Sequence, residues 1–270
     1  MSARLPAVAG LFYPDDADTL REMVNGFLAS AAQTDKAPPK AIIVPHAGYI
    51  YSGPVAASVY ARLSGGRDKI HRVVLLGPSH RVGFHGLAVS GASTFRTPLG
   101  DIPIDRQAVD SALELPQVVR LDAAHATEHS LEVQLPFLQL LLEEFELVPL
   151  VVGDASSQEV AEVLQRLWGG PETLVVISSD LSHFHDYATA CRLDRATSES
   201  IVALHPERLG YDDACGRIPV SGMLLLAKRL GLQGELVDLR NSGDTAGDKQ
   251  QVVGYGAYAF SAQGNTPSSV

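Results

Sequence analysis

Four short runs of aliphatic residues, KAIIVP, HRVVLLG, FELVPLVVG and TLVVISS, constrain this chain more than any other feature. Each is nearly continuous in Val, Ile and Leu and lacks the polar alternation of a half-exposed strand. Such runs are stable only when covered on both faces. Stretches with helical spacing lie around them: DTLREMVNGFLASAA, GPVAASVYARLS, SLEVQLPFLQLLLEE, SSQEVAEVLQRLW and SGMLLLAKRLG. Strands alternating with helices predict βαβ crossovers and an α/β fold, with a mainly parallel or mixed central sheet carrying helices on both faces. The segment GLAVSGASTFRTPLGDIPID breaks this rhythm with Gly, Ser and Pro, and reads as an antiparallel excursion or an extended loop. GELVDLRNSG and VVGYGAYAF add two late strands around a polar loop. No repeat or linker divides the 270 residues, so we expect a single domain over 1–262 and a flexible tail over 263–270.

Composition narrows the partners. At 46% hydrophobic and 19% charged residues, the chain can build a sizeable core. Its 21 Lys and Arg against 31 Asp and Glu give a formal charge of −10. Nucleic-acid surfaces need clustered cations to displace counterions, so that class is excluded. No apolar run approaches bilayer length, and MSARLPAVAG lacks the apolar core of a signal peptide. Only two cysteines occur, Cys191 and Cys215, which fits a reducing compartment. A cytoplasmic protein without membrane or nucleic-acid partners is expected.

The residues just beyond each aliphatic run are more informative. AIIVP is followed by His46, VVLLGPS by His80, LVPLVVG by Asp154, and LVVISS by Asp180, then His183 and His185. In an open α/β sheet, ligands bind beyond the carboxyl ends of the strands, so these side chains should meet at one edge. Ser52-Gly53-Pro54 reads as a helix start with proline at the first helical position, which would aim free N–H groups at that edge and favour an anion. His71 begins its strand and should lie at the opposite edge, while His85, His125 and His205 read as solvated loop residues. Glu128-His129 precedes an amphipathic stretch and reads either as an acidic group favoured by the helix dipole or as part of the site. His183 and His185 are two apart, and only one is expected to face the site.

Familiar short motifs are absent: no HExxH, CxxC, EF-hand loop, Walker loop or GxSxG. A site here must be assembled from distant strand ends. Two neutral imidazoles plus one anionic ligand suit a first-row transition metal. The candidates for the anion are Glu128, Asp180, Asp244 and the thiolate of Cys215. Cys215, in DACGRIPVSGM, reads either as a small buried hydrophobe or as a thiolate favoured at a helix mouth beside Arg217. Cys191, inside YATACRLDRATSESI, reads as packing.

Five blocks, PHAGYIYSG, LLGPSH, TEHSLEVQLPFL, VVISSDLSHF and ACGRIPVSG, resemble the Memo family in sequence and in order, over about Gly10 to Phe260. Its bacterial and archaeal members are called AmmeMemoRadiSam system protein B, and the family is similar to the catalytic subunits of class III extradiol dioxygenases. The resemblance implies an α/β fold of that type with a non-haem metal pocket. It places His46, His80 and Cys215 as metal ligands. His183 and Asp180 stand at the catalytic positions, with Glu128 and His129 in the block facing them, and Phe12, Tyr51 and Ser52 line the pocket. One transition-metal ion is implied, iron or copper in first place and zinc in second. The expected function is a metal-dependent redox protein acting on a small molecule or peptide. The alternatives are a zinc hydrolase and a non-catalytic binding protein that works with an AMMECR1-type protein and a radical SAM enzyme. Where the dioxygenases place a carboxylate, this chain has Cys215, so weak or absent ring cleavage of catechols is expected.

Overall fold

All four aliphatic runs become neighbouring strands of one sheet in the computed structural model, which describes residues 2–32, 34 and 36–262. In chain order, β1 (Ala3–Arg4) leads to α1 (Ala17–Ser30), β2 (Ala41–Val44), α2 (Tyr49–Tyr60) and β3 (Arg72–Pro78). Then come β4 (Leu87–Val89), β5 (Thr94–Thr97), β6 (Gly100–Pro103), α3 (Arg106–Leu113), β7 (Val118–Arg120), α4 (Asp122–Ala126) and α5 (Leu135–Leu141). Next are β8 (Glu146–Val152), α6 (Ser157–Leu167), β9 (Thr173–Ser178), β10 (His183–His185) and α7 (Tyr187–Val202). The last elements are α8 (Arg217–Arg229), β11 (Leu232–Asn241), α9 (Ser242–Thr245) and β12 (Val252–Ala262). The expected tail over 263–270 lies outside the described residues.

Among the described residues, the main sheet has nine strands in the order β10-β12-β2-β9-β3-β8-β4-β7, with β11 also paired to β12. Its centre, β2, β9, β3 and β8, is parallel, while β12 and β4 run antiparallel on either side. Every residue of β2 and β9 is buried, as is all of β3 and β8 beyond their first residues. That burial explains the unbroken Val/Ile/Leu runs, since each such side chain contributes about 1.5–3 kcal/mol when removed from water. α2 packs on β2, β11 and β12 with α1 and α5 against it, α8 packs on β3 and β9 beside α6, and α7 lies along β10, β11 and β12. The α/β fold with a mixed sheet is therefore the expected one. The antiparallel excursion is also present: β4 joins the main sheet, and β5 pairs antiparallel with β6 in a small sheet completed by β1.

Two helices differ from expectation. α2 begins at Tyr49, not at Ser52, and carries Pro54 inside it. The first N–H is taken by the Phe12 carbonyl (2.7 Å) and the Ser52 hydroxyl donates to Ala47 O (2.8 Å), so the chain is already turned before the proline. The carbonyl that Pro54 cannot serve belongs to Ile50, the exposed residue of that helix. No free anion-binding start remains where Ser52-Gly53-Pro54 suggested one. The stretch SLEVQLPFLQLLLEE is not one helix but a 3-10 turn (Glu132–Gln134) followed by the short α5. Pro136 lacks the N–H that would join them, and Glu132 is drawn away into the core.

Glu132 is fully buried and gathers the N-terminal segment around it. Its carboxylate accepts from the Arg4 guanidinium, from the N–H groups of Ala7 (2.7 Å) and Val8 (3.0 Å), and from the Tyr13 hydroxyl (2.6 Å). Arg4 also donates to Glu128 O (2.6 Å) and His125 O (3.0 Å). This strap carries Phe12 across the carboxyl edge of the sheet. Removing one partner of a buried pair leaves the other uncompensated. Glu132→Gln should therefore lower unfolding free energy by about 3–5 kcal/mol in urea titrations. Glu235→Gln, at the half-exposed Lys36–Glu235–Arg62 cluster, should change it by no more than about 1 kcal/mol.

Candidate metal centre

The parallel strands deliver their polar termini to one edge. β2 ends two residues before His46, β3 two before His80, and β9 two before Asp180. The loop entering α8 brings in Cys215 just before the capping Gly216. One nitrogen each of His46 and His80 and the sulfur of Cys215 lie within 4.8 Å of one another. The imidazoles of His46 and His80 meet edge to face, with centroids 5.2 Å apart.

The protons around His46 can be assigned by elimination. Ser178 stands beside Val44 in the parallel pairing of β2 and β9. Its hydroxyl donates to Ser130 O (2.6 Å), an atom that can only accept. Gln134 Nε2, whose orientation is fixed by donation to Pro45 O (3.0 Å), donates to the same hydroxyl (2.8 Å). His46 Nδ1, 2.9 Å away, must therefore carry a hydrogen and donate to Ser178 Oγ. The ring's lone pair is left on Nε2, which faces Cys215 Sγ at 3.2 Å. Burial, reinforced by His80, His129 and His183, holds the His46 pKa well below its usual value, so the ring is neutral. His80 is also held through Nδ1, which bonds Glu128 Oε1 at 2.8 Å and is thereby kept from ligating.

Glu128 is saturated. Oε1 also accepts from the N–H groups of His129 and Ser130 (both 2.9 Å), and Oε2 accepts from His80 N–H (2.6 Å). Burial pushes its pKa up, but the hydrogen bonds and charge of His80 and the Ser130 N–H outweigh this and bring it down to about 2. With its oxygens so occupied, Glu128 orients His80 better than it could ligate, although His80, Glu128 and His129 also form a close group. His129 stacks on His80 at 4.6 Å and meets the Phe12 ring at a tilt at 4.7 Å, and burial together with His80 lowers its pKa to about 4. Asp180 accepts from His46 N–H (2.7 Å) and is raised to about 7 by burial, against the pull of the His46 N–H.

The donor set suits a soft or borderline transition-metal ion: two imidazole lone pairs and one sulfur. Tetrahedral bonds of about 2.3 Å to sulfur and 2.0–2.1 Å to nitrogen separate two donors by roughly 3.5 Å. The 3.2 Å contact between Cys215 and His46 would need to open by only a few tenths of an ångström to hold such an ion. The expectation that Cys215 would ionise readily beside Arg217 is not met. Burial, followed by the adjacent Asp180, pushes its thiol up to about 12. The thiol donates to His46 Nε2 until a cation replaces its proton.

Next to the centre lies a cleft of about 980 Å³ lined by His80, His183 and Cys215, with Asp154 also on its wall. Contrary to expectation, both His183 and His185 line it. The strand pairing is irregular between them, so their side chains do not follow the alternation of a regular strand. Phe184 between them has φ 61°, a conformation costing a non-glycine residue about 1–2 kcal/mol. Pairing of His183 and His185 with Val253 and Val252 of β12 holds it there. Burial lowers the His183 pKa. Phe12 reaches the opposite side of the centre through His129, and Tyr51 is half-buried near Phe12 across Gly48. The Ser52 hydroxyl is taken by the Ala47 carbonyl just ahead of its helix. His71 lies at the far edge with its ring at Glu144 O (3.3 Å), His85 is exposed, and the partly exposed His205 pairs with Glu207. His125 is not solvated but 2% exposed: it donates Nε2–H to Ala88 O (3.0 Å) and meets the Phe95 ring. Asp244 accepts from Tyr187 and Asn241 as a helix cap, and Cys191 takes a bond from Asn241 (3.5 Å). Ser178 and Gln134 were not anticipated. Their signal was a hydroxyl at the last position of an otherwise aliphatic strand, and a glutamine in a buried turn.

A family model for Memo-like proteins matches residues 4–259. A MEMO1 family protein of Aquifex aeolicus is 39% identical over 267 residues, covering 94% of this chain and 98% of the relative. One from Ignicoccus hospitalis is 38% identical, with 96% and 99% covered, and one from Methanopyrus kandleri 36% identical, with 95% and 98% covered. Among the described residues, no helix is long and apolar enough to cross a membrane.

The proton assignment is directly measurable. Long-range proton–nitrogen NMR should find His46 in the Nδ1–H form in metal-free protein near pH 7. Ser178→Ala removes its acceptor, and metal affinity should fall by about 10–100-fold, the usual cost of losing a group that orients a ligand. An Nε2–H tautomer in the wild type would contradict the assignment.

Proposed function

This chain belongs to the Memo family, and from that premise we propose that it is a metal-dependent redox protein with iron or copper held by His46, His80 and Cys215. The supporting observation is the hydrogen-bond pattern that occupies Nδ1 of both imidazoles and leaves the His46 Nε2 lone pair facing the Cys215 sulfur. When bound, the ion would supply electron transfer and Lewis acidity that the side chains lack. The remaining chemistry belongs to this chain. Ser178 and Glu128 fix the two rings. Asp180, with a pKa of about 7, can give or take a proton near neutrality, and His183 offers a neutral imidazole on the cleft wall. The substrate side is the cleft beside His183. An AMMECR1-type protein and a radical SAM enzyme are the proposed partners, to be sought by co-purification. Because a soft, oxidisable thiolate stands where ring-cleaving relatives of this fold use a carboxylate, catechol cleavage should be weak or absent.

The test is metal quantification on protein purified without oxygen or chelator. Wild type should hold about one iron or copper per chain, Cys215→Ser much less with its thermal melt little changed, and Cys191→Ser as much as wild type. Zinc as the resident ion favours the hydrolase reading, and unchanged content in Cys215→Ser removes Cys215 as a ligand.

The pH dependence has a definite sign. With its pKa at about 12, the Cys215 thiol is protonated throughout the neutral range and must lose that proton on ligation. His46, far below its usual pKa, contributes no second proton. Apparent affinity should thus weaken about tenfold for each unit of falling pH between pH 8 and 6. Calorimetry in two buffers of different ionisation enthalpy should count about one proton released per ion.

A further inference from the structure

Beyond its histidines and Cys215, the cleft has a mouth made by Phe184, Tyr211 and Arg217. Phe184 is 69% exposed and Tyr211 83%. Five arginines, Arg81, Arg192, Arg195, Arg208 and Arg217, have no ion pair or side-chain hydrogen bond to any described residue. Four of them are exposed, and Arg217 alone is half-buried. Its guanidinium sits over the Tyr211 ring, 5.7 Å from the centroid, two residues past Cys215. A half-buried guanidinium without an acceptor has given up part of its hydration for nothing within the chain. Its planar fork matches a carboxylate, which could accept two parallel hydrogen bonds. Asp154, Asp212 and Asp213 also line the cleft, so a singly charged anion meets less repulsion there than a doubly charged phosphate. The exposed rings offer flat apolar surface beside the cation, and the φ of 61° at Phe184 holds one of them on the rim.

We propose that Arg217 determines specificity in this cleft by taking the carboxylate of a small flat substrate whose body lies against Tyr211 and Phe184. This deepens the metal-centre reading and rests on it for the word substrate. The binding itself can be tested without any reaction.

The probes are benzoate, its neutral counterpart benzamide, and phenyl phosphate, titrated by NMR into wild-type protein both metal-loaded and chelator-treated. Benzoate should bind with shifts at Phe184 and Tyr211, at least tenfold more tightly than benzamide. Arg217→Gln should weaken benzoate at least tenfold and leave benzamide unchanged. Arg217→Lys, which keeps the charge but loses the fork, should fall between, and Arg166→Gln, at the exposed pair with Glu114, should match wild type. Thermal melts accompany each variant, and Arg217→Lys carries the comparison if Arg217→Gln is unstable. Benzoate binding that is absent, equal to benzamide, or indifferent to Arg217 overturns the proposal. Tighter binding of phenyl phosphate through Arg217 overturns the single-charge assignment. If the chain takes up no metal while benzoate still depends on Arg217, the anion site stands and the metal-centre reading falls. If metal loads normally and benzoate does not bind, the reverse holds.

Discussion

The hydroxyl proton of Ser178 decides how the rest of the site is wired. Because it goes to Ser130 O, and because Gln134 already donates to the same oxygen, His46 has only one ring nitrogen left with a lone pair. The arrangement depends on the register of β2 and β9, which sets Val44 beside Ser178, and on Tyr60, whose hydroxyl donates to the other end of the Gln134 amide. Each of these groups is buried, and leaving one unpaired would cost about 1–3 kcal/mol. The ring is thus oriented by the core before any ion arrives, which is what preorganised ligation requires.

Burial acts on four side chains of the cluster in one direction. It favours the uncharged form of His46, His129, Asp180 and Cys215 alike. Glu128 escapes because four donors converge on it. A chain of net charge −10 therefore keeps an almost neutral pocket at the heart of its site. Such a pocket has little self-repulsion when empty. The charge that a bound cation needs is created locally, by loss of the Cys215 proton, and not stored in advance.

The central sheet was legible because parallel strands buried on both faces leave unbroken aliphatic runs, and a histidine or aspartate at the end of such a run stands out. His46, His80 and Asp180 could be read that way. Cys215 could not, since it lies in a loop of no fixed period, and it was singled out as a ligand through the resemblance. The start of α2 was misread because proline is usually a first-turn residue, while here the cap is the Phe12 carbonyl, remote in sequence. His125 looked solvated for a similar reason: its acceptor, Ala88 O, and its neighbour Phe95 come from distant strands. Ser178 was unreadable as a switch of tautomers because its meaning lies in three partners from two other segments.

The strap that Glu132 draws in has a consequence for the order of assembly. Arg4 and Glu132 are 128 residues apart, and Tyr13 and Glu132 are 119 apart. At synthesis rates of about 5–20 residues per second, the first strand waits on the order of ten seconds for its anchor to be made. This early segment is thus among the last parts of the first half to settle. Until it does, Phe12 is not against His129, the Tyr49 N–H has no cap, and the loop holding Glu128 lacks its Arg4 clasp. A nascent chain therefore has an open-sided pocket, and its closure reports that the first half of the protein has come together.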